Sequence, residues 1–307
     1  MQIASTSTQR TYRYLRLSIV GAVLLLFVAL TVTIARFGPM LSVSAAVYTP
    51  ARNIFVGSIF AVALALLALS GRSLSQALLD YAAIAAALIA TVPAPLEPGQ
   101  LPPSEADLAG VQVGLLSLLI IGAVAVIATL AVAVAQRTLT RAVGAGIAVA
   151  GAILAAVALW WLLAPVSFLE WGHIVAAFTF FALIAAVSGL AAWTVDETSD
   201  QADAAARTMY RGLYTVIAAG ILITLALLVV VIVLDMQGID LVESTGLPLI
   251  FIGEATALLL FAAFWLIQTV ELWNDPDPRL RVIPEAQPQL AGAPLARKRR
   301  SASADAA

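Results

Sequence analysis

Long apolar stretches separated by short polar segments run through the whole chain. A helix that crosses a membrane needs about 20 consecutive, mainly apolar residues. Eight stretches meet this requirement, with bounds uncertain by a few residues: 17–36, 53–70, 76–92, 109–135, 142–164, 171–194, 210–234 and 248–273. The pattern therefore predicts an all-α fold, a polytopic membrane helix bundle of about eight transmembrane helices.

The first apolar stretch also has features of a secretory signal peptide. Its apolar run is longer than such a peptide uses, and further apolar stretches follow, so we interpret it as a membrane anchor. The chain then divides into a cytoplasmic N-terminal segment 1–16, a transmembrane bundle 17–274 and a cytoplasmic tail 275–307. The tail is rich in Ala, Pro and Arg, a composition typical of disorder.

The positions of Lys and Arg predict the orientation, because cytoplasmic loops carry an excess of both residues. Of the 16 Lys and Arg residues, all but Arg36 and Arg52 fall on the side that holds both chain ends. We therefore expect both ends in the cytoplasm and a multi-pass protein of the cell (plasma) membrane. The outer loops are short, and the longest, around 93–108, is rich in proline.

Composition supports a membrane protein and excludes several kinds of site. The chain is 62% hydrophobic and 11% charged, whereas an ordinary soluble domain is about 45–50% apolar and about 25% charged. The net charge of −2 gives no reason to expect a nucleic-acid partner. Without cysteine and with one histidine, the chain has no disulfide, thiolate metal site or multi-histidine metal site. We expect no cofactor.

Two local signals predict where helices begin. Ser73 is followed three residues later by Gln76, the spacing of a capping box. Pro248 begins the last apolar stretch and is expected as the first helical residue, a position that favours proline.

Glu254 is the strongest functional candidate within the apolar stretches. A charge near the bilayer centre costs about 2.5–3.5 kcal/mol on insertion scales, so it marks a functional position by default. Gln268 lies within about 40° of the same helix face at 100° per residue. The alternative is structural: Glu254 pairs with an arginine and interacts favourably with the N-terminal helix dipole.

Four more polar residues are expected near the depth of Glu254 on the outer side. Arg36 ends the first span, Arg52 opens the second and His173 begins the sixth, while Tyr48 lies close by in the loop before the second span. Together they predict an outer-leaflet pocket that binds an anionic headgroup or a small solute, or passes protons. A structural ion-pair network, in its simplest form Arg52 paired with Glu254, explains the same residues, and the sequence leaves both open.

Small residues recur every four positions along the fifth span, at Gly144, Ala148, Ala152 and Ala156. Such a face lets two helices approach closely in lipid. Packing inside one bundle and a homo-oligomer interface both explain the pattern.

Four segments carry more specific sequence patterns, at residues 12–17, 42–57, 78–93 and 264–273. The second reads SVSAAVYTPARNIFVG and the last reads FWLIQTVELW. In these segments the chain resembles an uncharacterised family of actinobacterial multi-pass integral membrane proteins. The matching segments extend from the first span to the last.

This resemblance implies the same membrane architecture and no particular activity. The family usually has a run of tyrosines before the Thr-Pro pair, where this chain keeps only Tyr48. The resemblance gives added weight to residues in or beside the matching segments, namely Tyr48, Thr49, Arg52, Glu254 and Gln268.

The function favoured by the sequence is a non-enzymatic envelope protein that binds membrane lipids or a partner membrane protein. The chain has no Walker-type phosphate loop, no HExxH pattern and no nucleophile elbow. This hypothesis predicts that Arg52 and Glu254 are paired and that no open cavity separates the second and last spans.

Two alternatives stay open. A small-solute or proton transporter or channel would use the outer-leaflet pocket, and it predicts a water-accessible cavity that reaches Glu254. An intramembrane lipid-acting enzyme would use Glu254 and His173 as acid–base groups, both within about 3 Å of a common substrate atom. The single histidine excludes the zinc site that intramembrane hydrolases of the ceramidase type require.

Overall fold

A computed structural model describes residues 7–69, 73–95, 105–198, 204–239 and 241–273. Most of the proline-rich outer loop and the tail 275–307 lie outside these residues. The described chain contains nine α-helices and one 3₁₀ helix and no strand. The helices are α1 Ser7–Phe37, the 3₁₀ helix Ser44–Tyr48, α2 Arg52–Ala68, α3 Leu74–Thr91, α4 Glu105–Ala135, α5 Arg141–Leu163, α6 Pro165–Thr198, α7 Ala204–Met236, the short α8 Leu241–Thr245 and α9 Leu249–Glu271.

Each predicted apolar stretch corresponds to one long helix, which confirms the all-α polytopic bundle. Seven of these helices are long and apolar enough to cross a membrane. The eighth, α2, is apolar and has 17 residues, close to the lower limit of about 17 for a spanning helix.

The observed helix starts agree with the local sequence signals. Ser73 caps α3, and the reciprocal bonds of a capping box with Gln76 are both present. Pro248 is the N-cap of α9, one residue before its first helical residue. Because these bonds satisfy backbone donors that a helix start leaves free, short-range chemistry sets where α3 begins.

Six of the long helices form a closed ring. Around it, α1 packs on α2, α2 on α3, α3 on α6, α6 on α7, α7 on α9, and α9 again on α1. The helix pair α4–α5 lies outside this ring and packs mainly on itself, with smaller contacts to α3 and α6. The ring is therefore the core of the protein.

The peripheral α4–α5 pair shows how small residues allow close helix packing. A Cβ added to Gly122 of α4 would lie 2.9 Å from Leu154 Cδ1 of α5, so only glycine fits without a shift. In α5, the carbonyl of Gly146 accepts a bond from the Tyr81 hydroxyl at 3.2 Å. Neither glycine belongs to the small-residue face of α5, where Ala148, Ala152 and Ala156 are exposed, and the homo-oligomer stays a prediction.

The first and last described helices meet at one end of the bundle. Arg13 near the start of α1 donates a hydrogen bond to the Trp273 carbonyl, and its guanidinium lies 4.7 Å from the Trp273 ring centroid. We call this end of the bundle the proximal end and the opposite one the distal end. Among the described residues, the start of α1 and the end of α9 therefore lie at the same end of the bundle, and the cytoplasmic side stays a prediction.

Candidate functional site

Glu254 connects α9 to the loop between α1 and α2 at the distal end. It lies five residues into α9, about 7–8 Å along the helix axis at 1.5 Å per residue. Its Oε2 accepts bonds from the backbone N–H groups of Val43 at 2.5 Å and Ser44 at 3.0 Å. Its Oε1 accepts a bond from the Ser44 hydroxyl at 2.7 Å.

These bonds cap the 3₁₀ helix from outside its own sequence. The N-cap residue of that helix is Val43, whose apolar side chain makes no cap hydrogen bond. The first N–H groups of a helix need acceptors, and a carboxylate there also interacts favourably with the helix dipole. Close by, the N–H of Phe251 donates to the Leu41 carbonyl at 2.9 Å, so α9 holds the loop at two points.

A central cavity of about 520 Å³ lies inside the ring, in its distal half. All six ring helices contribute side chains to its wall. The lining includes, in chain order, Val23, Leu26, Ser44, Phe55, Ser58, Val62, Ala86, Ile89, Glu170, Trp171, His173, Ala177, Phe178, Phe180, Phe181, Leu225, Leu228, Ile232, Asp235, Glu254, Leu258 and Phe261. The wall is therefore mainly apolar, with a few polar groups.

Aromatic rings form the deep end of the central cavity. Phe180 packs edge-on against Phe181 and against Phe261, with ring centroids 5.0 and 5.3 Å apart. Edge-to-face pairs are favourable beyond the area they bury. On α9, Trp265 follows one turn below Phe261 and is 1% exposed. The central cavity thus ends about halfway along the ring of helices.

The proximal half of the ring is closed by polar bonds as well as packing. Tyr214 is fully buried, and its hydroxyl donates to a carboxylate oxygen of Glu271. The Ser188 hydroxyl donates to the Tyr214 carbonyl at 2.9 Å. Phe264 packs between Tyr214 and Trp265. Helices α6, α7 and α9 are therefore fastened together below the central cavity.

His173 lines the central cavity and is 3% exposed. Its Nδ1 lies 2.7 Å from the Val92 carbonyl oxygen. Because a carbonyl only accepts, Nδ1 donates this bond, and Nε2 of the neutral ring is then an acceptor. His173 Nε2 is buried and has no hydrogen-bond partner among the described residues.

Ser58 of α2 is the second polar group on the wall without a partner. Hydroxyl side chains elsewhere in the bundle bond the carbonyl four residues earlier, as Thr33, Thr91 and Thr224 do. Ser58 makes no such bond, is 4% exposed and has no hydrogen-bond partner in the described part of the chain. An unsatisfied buried hydroxyl costs about 1–3 kcal/mol, so this position is unusual for the protein.

Arg52 and Tyr48 belong to a different recess, between α2, α4 and the start of α6. Both residues line this lateral recess, and the Tyr48 hydroxyl donates to the Ala94 carbonyl at 2.5 Å. Glu170 lines the lateral recess and the central cavity alike. The single outer-leaflet pocket expected from the sequence is therefore two recesses that share one wall.

The structure separates the six candidate residues. Glu254 and His173 line the central cavity, whereas Arg52 and Tyr48 line the lateral recess. Arg36 is exposed at the end of α1, and Gln268 is half-buried about 21 Å further along α9 than Glu254. Arg36 and Gln268 line neither the central cavity nor the lateral recess.

One expectation about the second and last spans was wrong. The non-enzymatic hypothesis expected no open space between them, but α2 and α9 both line the central cavity, through Ser58 and Glu254. The inward-facing side chains of the ring therefore leave space between α2 and α9 at this level. The pairing of Arg52 with Glu254 stays a prediction.

Sequence reasoning did not select Ser58 or the aromatic residues of α6. A single serine in an apolar helix is common, and it normally bonds its own backbone. The Phe180-Phe181 pair is equally unremarkable in a membrane helix. Their importance depends on which helices are neighbours in the ring, and that information is absent from the local sequence.

Comparison of the chain with protein-family models finds no match. Comparisons with curated proteins and with solved structures find none either. The resemblance to the actinobacterial membrane family therefore stays a prediction.

Proposed function

We propose that this integral membrane protein binds a small, largely apolar molecule in the central cavity, as a non-enzymatic protein of the cell envelope. The observation that carries the proposal is a wall that combines aromatic side chains with two polar atoms, Ser58 Oγ and His173 Nε2, that have no hydrogen-bond partner within the described part of the chain. The volume of about 520 Å³ falls inside the range of about 300–1,000 Å³ for small-molecule sites.

A ligand in the central cavity would be energetically favourable. An apolar molecule gains from filling space that the ring leaves unpacked, because dispersion contacts are lost wherever a wall has no neighbour. The polar atoms then fix its orientation, as a few placed polar groups do in most small-molecule sites. With the predicted orientation, the ligand reaches the cavity from the outer leaflet or from the extracytoplasmic side.

A cavity-filling variant tests the proposal. Ala177 lines the cavity, whereas Val175 on the same helix is exposed on the outer surface of the ring. Native mass spectrometry of the detergent-purified protein should show a discrete bound mass in the wild type and in Val175→Trp, and loss of that mass in Ala177→Trp. Spectra without a bound mass in any of the three proteins, or with the same mass in all three, would contradict the proposal.

A transport role is a second candidate, favoured by the asymmetry of the ring. The cavity reaches Asp235 and Met236 at the distal end, while Tyr214 and Trp265 close the proximal half. A site accessible from one side and closed on the other is one of the two states that alternating access needs. Uptake of a radiolabelled ligand into proteoliposomes, once it is identified by mass, separates a carrier from a binding protein.

A further inference from the structure

All charged residues that line the central cavity are acidic. Glu170, Asp235 and Glu254 line it, and no Lys or Arg does so among the described residues. Glu254 accepts three bonds at the start of the 3₁₀ helix, whereas Glu170 and Asp235 are exposed at the distal mouth. A mouth lined by carboxylates attracts cations and repels anions.

The unpartnered polar atoms also select for a ligand that donates hydrogen bonds. With Nδ1 donating to the Val92 carbonyl, neutral His173 offers only an acceptor at Nε2. Ser58 Oγ can accept as well, and it is free of the backbone bond that other helical hydroxyls make. A carboxylate or phosphate ligand has no proton to give to these atoms, whereas an ammonium group carries several.

The apolar part of the wall suits a cation too. Phe178, Phe180, Phe181 and Phe261 line the cavity together with Trp171. The faces of aromatic rings attract cations, by about 0.5–1 kcal/mol at exposed sites and about 2 or more when water is excluded. The same rings provide contact area for a hydrocarbon body.

We propose that the ligand of the central cavity is a lipophilic ammonium, an apolar molecule with a protonated amine. This inference rests on the proposed binding function and specifies its chemistry. An anionic headgroup, one of the ligands that the sequence leaves open, would need Arg52 in the pocket, but Arg52 lines the lateral recess. The ammonium can belong to an aminolipid headgroup or to a free lipophilic amine.

Calorimetry with matched probes tests the inference. The full chain is placed in phosphatidylcholine nanodiscs and titrated with 4-phenylbutylammonium, its N,N,N-trimethyl analogue, 4-phenylbutanol and 4-phenylbutanoate, with empty nanodiscs as the blank. The four probes share one apolar body and differ in the polar group. We expect the ammonium to bind at least about tenfold more tightly than the carboxylate, a difference of about 1.4 kcal/mol.

Variants separate the contributions of charge and hydrogen bonding. Glu170→Gln combined with Asp235→Asn changes only exposed residues, so we expect the fold to be preserved. This pair should weaken ammonium binding about three- to tenfold and leave 4-phenylbutanol unchanged, since only charge is removed. Ser58→Ala and His173→Phe should reduce the preference for the ammonium over its trimethyl analogue, which has no N–H donor.

The outcomes separate this inference from the proposed function. Tighter binding of 4-phenylbutanoate, or equal binding of all four probes, would overturn the ammonium assignment while leaving a ligand-binding cavity. No probe binding together with no bound mass in native spectra would overturn both. Adding phosphatidylethanolamine to the nanodiscs assigns the source: loss of ammonium binding by competition indicates an aminolipid, and unchanged binding indicates a free amine.

Discussion

Replacing Glu254 tests the most specific contact in the distal half of the protein. The carboxylate accepts the N–H groups of Val43 and Ser44, which open the 3₁₀ helix, and the Ser44 hydroxyl. Glu254→Ala leaves both N–H groups without this acceptor. An unsatisfied buried donor costs about 1–3 kcal/mol, and these two are part-buried, so we expect a loss of about 2–4 kcal/mol in the free energy of unfolding.

The conservative change has a smaller expected effect. Glu254→Gln keeps an amide oxygen for the two N–H groups, and its NH₂ can donate to the Ser44 hydroxyl. Charge-assisted bonds are roughly twice as strong as neutral ones, and a carboxylate near a helix start contributes about 0.3–1 kcal/mol. We therefore expect Glu254→Gln to lose about 1–2 kcal/mol.

Equilibrium unfolding in mixed dodecylmaltoside and dodecyl sulfate micelles, followed by tryptophan fluorescence, measures these differences. Leu259→Ala on the same helix is the matched control, because Leu259 is 55% exposed. A double-mutant cycle with Ser44→Ala isolates the side-chain bond, for which we expect a coupling of about 1–2 kcal/mol. If Glu254→Ala is no less stable than Leu259→Ala, the capping role is refuted.

Two further changes address packing and the closed proximal half. A Cβ on Gly253 would lie 2.6 Å from Leu228 Cδ2 and 2.9 Å from its Cγ, so Gly253→Ala should cost about 1–3 kcal/mol by overpacking. Gly189→Ala, where nothing lies within 4 Å, is the control and should cost nothing. Tyr214→Phe removes the bond to Glu271 and should cost about 1.5–3 kcal/mol. A loss below about 0.5 kcal/mol in the same unfolding assay would show that this bond does not fasten the ring.

The sequence predicted the helices well because their signals are local. Apolar stretches of spanning length gave the eight long helices, and the Ser73–Gln76 spacing gave the start of α3. The 3₁₀ helix Ser44–Tyr48 was not predicted. Its N-cap residue, Val43, carries no capping side chain, and the acceptor comes from Glu254 far along the chain.

The candidate site was predicted only in part because it depends on neighbours in space. Glu254 and His173, which the sequence groups by expected membrane depth, both line the central cavity. Depth does not give direction around the ring of helices, so the sequence cannot distinguish Arg52, which lines the lateral recess, from the residues of the central cavity. Gln268 shares a helix face with Glu254, but about 21 Å of axial distance separates the two residues.

The absence of cysteine in the chain permits a direct test of the central claim, that the ring encloses a cavity open at the distal end. Single-cysteine variants would be treated on intact cells with a membrane-impermeant, positively charged thiol reagent. Ala177→Cys lines the cavity, Ser244→Cys is exposed in the distal helix α8, and Ser188→Cys is fully buried in the proximal half. We predict labelling of the first two and protection of the third. Labelling of Ser244→Cys with complete protection of Ala177→Cys would contradict the open cavity.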